Sequence, residues 1–384
     1  MINEKLLMTP GPTMIPPRVL EITRRQIIHH RTAEYERSFA ELCDNLKTVF
    51  CTKNTVMTFA SSGTGVMEAA VVNLFSPGDK VLAVSVGAFG DRFIEIAGAY
   101  GLNVQPLLFE WGKPADPGVI QDILDKDTEH AIKGVLITHN ETSTGVTNDI
   151  KAVAAFIKKT DRLLVVDAVS SLGALELRMD DWGLDAVVTC SQKALMNAPG
   201  LGFAALSDKG WAARERSALP KFYWDLKKYR DGIAGVSENP PFTPAITLTL
   251  AQNEALKIML EEGLDNIYSR HKRFSAAARA GTAALGLALF PDQRDSSHVI
   301  TAVRPPEGVD IGGVIKNMNV NYDVVAVGGQ KSLRGKLLRI GHCGYVGRFD
   351  MLRAFAALES ALMDARYKFE AGASLAAVQK SLTD

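Results

Sequence analysis

Cysteine is scarce in this 384-residue chain, which has only Cys43, Cys51, Cys190 and Cys343 and no CxxC pair. Neither a disulfide framework nor a cysteine-based metal knuckle is expected, and the four read as reduced thiols. Net charge is also lacking: lysine plus arginine equals aspartate plus glutamate at 43 each. No overall field is left to recruit nucleic acid or an anionic membrane. No apolar run approaches the roughly 20 residues that cross a bilayer. The opening stretch MINEKLLMTPGPTMIPP places acidic residues and prolines where a secretion signal needs an apolar helix, so a cytoplasmic protein is expected. The histidines show no metal-ligand spacing and no metal is assigned. Internal repeats and low-complexity tracts are absent.

What is present is an ordinary globular composition, 47% hydrophobic and 22% charged, in a chain long enough for one large domain carrying a smaller one. Strand-like and helix-like segments alternate through the first two thirds, the mark of βαβ units around a mostly parallel sheet, so the fold class is α/β. Short apolar runs at Val56 to Ala60, Lys80 to Val84, Val104 to Phe109, Gly134 to Thr138, Leu163 to Asp167 and Ala186 to Cys190 suit strands buried on both faces. Helices are expected at Gly65 to Leu74, Arg92 to Tyr100 and Ile150 to Lys159. A long helical pattern from Thr247 ends at Gly263, where the domain change is placed. The division is an arm over residues 1–14, a large domain over 15–262 and a small α+β domain over 263–384. In that last part, strands are expected at His298 to Val303, Asp323 to Val327 and Lys336 to Gly341, with helices at Ile311 to Asn317 and Asp350 to Arg366. Trp211 to Thr243 has no clear period and reads as a long irregular connection.

Four features can carry chemistry. Lys193, in Ser191-Gln192-Lys193, directly follows an apolar run; in isolation it would be one more solvated lysine. Asp167 ends a buried strand, where α/β sheets bind ligands, or it caps the next helix. Together they suggest an amine nucleophile and a carboxylate partner for a protonated ring nitrogen. Ser61-Ser62-Gly63-Thr64-Gly65 joins a strand to a helix, so its amides and hydroxyls can cup a phosphate, or form an ordinary cap. It lacks the third glycine of a dinucleotide fingerprint and the GK[ST] of a P-loop. Arg339, flanked by apolar residues, needs an anion: a substrate carboxylate or a structural ion pair.

Met8-Thr9-Pro10-Gly11-Pro12-Thr13, Ser62-Gly63-Thr64 with Glu68, Thr138 to Gly145 (THNETSTG), Val166 to Ser171 (VDAVSS), Ser191 to Leu195 (SQKAL) and Leu338 to Gly341 (LRIG) occur in this order over nearly the whole length. In this set the chain resembles the class V aminotransferases of fold type I, specifically the alanine-, serine- or (S)-ureidoglycine–glyoxylate group. The resemblance implies a mostly parallel seven-stranded sheet in the large domain and pyridoxal 5'-phosphate as cofactor. It implies that Lys193 bonds covalently to the cofactor, that Asp167 pairs with its ring nitrogen and that Thr142 bonds its ring hydroxyl. Ser62, Gly63, Thr64 and Gln192 would hold the phosphate, Phe89 would stack on the ring and Arg339 would take the substrate carboxylate. Thr243 matches a threonine that reaches a neighbouring subunit's phosphate, implying a homodimer, whereas the accompanying tyrosine is replaced by Pro240. The expected reaction is ping-pong transfer of an amino group from a small amino acid, alanine or serine, to glyoxylate or pyruvate. Other donors, aspartate, ureidoglycine or an aminophosphonate, stand as alternatives. A cysteine desulfurase is a rival reading, but the family's histidine before the lysine is Gln192 here. A subunit-type protein without activity is a second rival. His29, His30 and Arg31 either border the site or form a solvent-facing helix end.

Overall fold

A computed structural model describes residues 4–233 and 240–383. Its central sheet is built from β1 (Val56–Ser61), β2 (Lys80–Ser85), β3 (Asn103–Leu108), β4 (Ile132–Thr138), β5 (Leu163–Asp167), β6 (Ala186–Cys190) and β7 (Gly200–Leu206). The order across the sheet is β1-β7-β6-β5-β4-β2-β3. Every pair is parallel except those made by β7, which runs antiparallel to both β1 and β6. The five inner strands, β2 and β4 to β7, are almost wholly buried, which is why they carry continuous apolar runs rather than alternating ones. Two layers of core, one on each face, cover the sheet.

The parallel strands end on one edge, and there their connections to the following helices open a crevice. Helix α1 (Gly63–Leu74) follows β1 and helix α2 (Ala88–Ala99) follows β2. Helices α3 (Ile246–Glu262) and α4 (Leu264–Ala284) meet at Gly263, whose φ of +84° lets the chain turn between them without a loop. Beyond them a three-stranded antiparallel sheet holds β8 (Ile300–Val303), β9 (Val327–Gly328) and, in its centre, β10 (Leu338–Gly341). Helix α5 (Arg348–Asp364) belongs to this sheet's core, which also takes in Leu6 and Met8 from the chain's start.

Four sequence expectations are corrected. Gly200 to Leu206 is a central strand; its Pro- and Gly-rich approach masked it, although burial on both faces suits its small residues. Trp211 to Thr243 is not irregular throughout, since helices cover Asp208–Arg216 and Leu226–Ile233; part of that stretch, residues 234–239, lies outside the described residues. Asp323 to Val327 is two short strands, Val324–Val325 beside Leu6–Leu7 and Val327–Gly328 beside β10. Exposed His29 and Arg31 and half-buried His30 form a turn before the helix Ala33–Phe50 rather than a helix end, and the His29 carbonyl accepts from the Thr32 cap. Among the described residues no helix is long and apolar enough to cross a membrane.

Candidate active site

Lys193 lies in the turn between β6 and β7. That turn is tied at both ends: the Ser191 amide donates to Leu201 O and its hydroxyl to Ala198 O, while Gln252 donates to Leu195 O. The lysine side chain is therefore aimed by backbone rather than left to solvent. Its Nζ donates to Pro10 O at 2.5 Å, and Thr13 Oγ1 donates to the Lys193 carbonyl at 3.0 Å, so the chain's start forms a strap across it. Gly11, at φ +122°, sits against this side chain so closely that a Cβ there would fall 2.3 Å from Lys193 Cδ. Burial lowers the amine's pKa, and Arg339 lowers it further, against the opposing pull of Cys190, Cys343 and Asp167.

Asp167, the last residue of β5, is buried. Its Oδ1 accepts from the Val169 amide at 2.8 Å and its Oδ2 from Thr138 Oγ1 at 3.2 Å. Burial raises its pKa, while those two donors and the charges of Arg92 and Lys193 favour the carboxylate. No cation pairs with it among the described residues. The same residues hold no three-ligand metal cluster.

Ser62 caps α1, its Oγ lying 3.5 Å from the Gly65 amide, and it is exposed. Gly63 packs behind it with room for no side chain: a Cβ would fall 2.7 Å from Val169 Cγ2 and 3.5 Å from Cys190 Sγ. The turn therefore abuts the Asp167 loop, and its first-turn amides lack intrahelical acceptors. Thr64 Oγ1 accepts from Arg92 Nη1 at 3.1 Å, and the same guanidinium lies 4.7 Å over the Phe89 ring. Phe89 is thus partly buried at the start of α2 beside this turn. Gln192 is also partly buried next to Lys193.

Arg339 is buried in β10 and makes no ion pair among the described residues. Its Nε donates to Gly328 O at 2.8 Å and its Nη1 to Thr142 O at 2.7 Å. The structural ion pair considered from sequence is absent among these residues. Burial lowers its pKa to about 10, with Glu141 pulling the other way. Lys193 feels the charges of Asp167 and Arg339, Asp167 feels that of Arg92 beside Phe89 and Thr64, and Arg339 is held by the Thr142 carbonyl. Thr243 is not among these residues: it is exposed and lines a separate cavity of about 690 Å³ with His30, Arg31, Glu36 and Pro240.

Sequence reading missed Glu141, Arg92 and Pro10. Glu141 sits in the stretch Thr138 to Gly145, where the resemblance assigns a role only to Thr142, Arg92 reads as no more than the start of a helix, and a backbone carbonyl carries no sequence signal. Cys343, the cysteine nearest Arg339 in sequence and so the one a desulfurase reading would need, is buried, and burial pushes its thiol up to about 12.

A family model described as aminotransferase class-V matches residues 6–333. The chain is 41% identical to the soluble hydrogenase 42 kDa subunit of Anabaena cylindrica, covering 99% of each. It is 37% identical to the serine–glyoxylate aminotransferase of Methylorubrum extorquens, over 98% of this chain and 96% of that one. The solved ureidoglycine–glyoxylate aminotransferase of Bacillus subtilis superposes with a TM-score of 0.95 at 30% identity, over 100% of this chain and 99% of that one.

Proposed function

This chain belongs to the class V aminotransferases and is a pyridoxal-phosphate-dependent transaminase; we propose that it moves an amino group from alanine or serine to glyoxylate or pyruvate. The observation that carries the chemistry is an amine that feels both a buried carboxylate and a buried guanidinium, neither of which has an ion-pair partner among the described residues.

These residues fit the cofactor. A buried Asp167 with two donors and no cation suits a protonated ring nitrogen. The Ser62-Gly63-Thr64 turn at the start of a 12-residue helix suits a phosphate, with Gln192 beside it. Thr142, whose carbonyl orients the guanidinium, would bond the ring hydroxyl, and Phe89 would supply an aromatic face. When bound, the cofactor supplies an electron sink for the carbon that bears the amino group.

The protein's residues do the rest. Arg339, its Nε and Nη1 fixed by two carbonyls, takes the carboxylate common to both substrates in a charge-assisted bond. Lys193, its amine made less basic by burial, is suited to take the proton from the substrate's α-carbon and to hold it for return. Asp167 holds the ring nitrogen's proton. Because donor and acceptor use the same arginine and the same lysine in turn, ping-pong kinetics follow.

The shared acceptor in the names of the Methylorubrum and Bacillus relatives, glyoxylate, supports the acceptor assignment, and their different donors leave the donor to pocket shape. The hydrogenase-subunit name belongs to the Anabaena relative; here the amine, carboxylate and arginine are a transaminase's complement. Exposed Thr243 and exposed Ser62 support a homodimer in which one protomer's Thr243 meets its partner's phosphate turn. A panel of amino donors against glyoxylate, pyruvate and 2-oxoglutarate tests the proposal. Preference for aspartate with 2-oxoglutarate, and none for glyoxylate, removes it.

A further inference from the structure

Glu141 is fully buried, and four donors converge on its carboxylate. Oε2 accepts from the amides of Phe89 at 2.9 Å and Gly90 at 3.1 Å; Oε1 accepts from the Ser143 amide at 3.1 Å and the Ser143 hydroxyl at 2.6 Å. Ser143 Oγ in turn accepts from the Ala88 amide at 2.9 Å. The first three amides of α2 are thus held by the loop 141–143 and by no residue of their own segment. The cap position is Gly87, where even a Cβ would fall 2.5 Å from both Glu141 Cγ and Ser143 Oγ.

A helix start needs no such device. A serine at the cap would satisfy one of these amides locally, without the cost of burying a carboxylate. Burial raises the pKa of Glu141 while its donors from Ser143, Gly90 and Phe89 favour the carboxylate; what this group adds is a link between two segments far apart in sequence. One carries Phe89. The other carries Thr142, whose carbonyl holds Arg339 Nη1 at 2.7 Å, and Glu141 attracts the same guanidinium.

We infer that Glu141 is a positioning residue that locks Phe89, Thr142 and Arg339 into one frame, fixing the plane of the cofactor ring against the substrate carboxylate. This rests on the assignment of those three residues above. Glutamine at 141 keeps the shape but turns one acceptor into an NH2 donor, which must face a backbone N–H of either α2 or Ser143. The loop and the helix then part.

The test uses the loaded enzyme and its Glu141→Gln and Ser143→Ala variants, the second covering the case in which the first does not fold. Borohydride fixation with peptide mapping locates the cofactor. Visible circular dichroism per bound cofactor reads the ring's setting, and titration with propionate reads Arg339. Expected are label on Lys193 throughout, altered dichroism, and propionate binding weakened about tenfold in Glu141→Gln, the worth of one charge-assisted hydrogen bond. A smaller change in the same direction is expected for Ser143→Ala. Wild-type dichroism and affinity in folded variants labelled on Lys193 overturn the role of Glu141 alone. Label elsewhere in the wild type overturns the site itself.

Discussion

Gly11→Ala is a one-methyl change in the strap over Lys193, and its effect can be worked from distances. The added Cβ would stand 2.3 Å from Cδ and 2.6 Å from both Cε and Nζ of the lysine. Non-bonded carbons settle at roughly 3.5 Å or beyond, so one partner must withdraw by about 1 Å. If the lysine withdraws, its Nζ leaves Pro10 O and the amine is misplaced for proton transfer, a displacement that costs on the order of 100-fold in rate. If the strap lifts instead, it gives up the Gly341 N–H bond to Met8 O and the Thr13 bond to Lys193 O. In either case alanine at φ +122° adds about 1–3 kcal/mol of backbone strain. The expected outcome is a kcat/KM lower by about 100-fold, with a melting temperature lower by a few degrees, read by steady-state transamination and thermal unfolding of the loaded enzyme. A variant indistinguishable from wild type in both would show that the strap does not confine Lys193.

Other consequences follow from the same geometry. Arg339→Ala should lower kcat/KM by about 10–100-fold, the worth of about 1.4–2.8 kcal/mol in a buried charged contact, and unchanged kinetics would remove Arg339 as the carboxylate's partner. Holding Lys193 in the site lowers its pKa below the ordinary 10.5, so the folded apoprotein binds fewer protons than the unfolded chain between those values. Wild-type stability must then rise with pH across that window. The apoprotein of Lys193→Met should be more stable than wild type at neutral pH, by a margin that shrinks as pH climbs toward 10.5; urea titrations at several pH values showing a constant or growing margin would contradict this. With its buried thiol held near 12, Cys343 should release no sulfide from cysteine, and Cys343→Ala should keep full transamination. Sulfide production that this substitution abolishes would restore the desulfurase reading.

Much of this protein is written locally. The apolar runs ending at Asp167 and Cys190 announced buried strands with the acid and the amine just past or at their ends, because strands buried on both faces carry no alternation to mistake. Ser62-Gly63-Thr64 announced a helix start, since capping chemistry lies within one turn of chain. Gly200 to Leu206 escaped because its position between β1 and β6 is decided by pairing with strands far away in sequence. The partners of each site residue escaped for the same reason. Nothing near position 193 says that the carbonyl of Pro10 will receive its amine, and nothing near Arg339 says that Thr142 O will fix it. Residue types and their place at strand ends are properties of short segments and can be read directly. Which carboxylate stays without a cation, which arginine stays without a carboxylate and which backbone oxygens aim them are properties of segments brought together, and only the folded chain decides them.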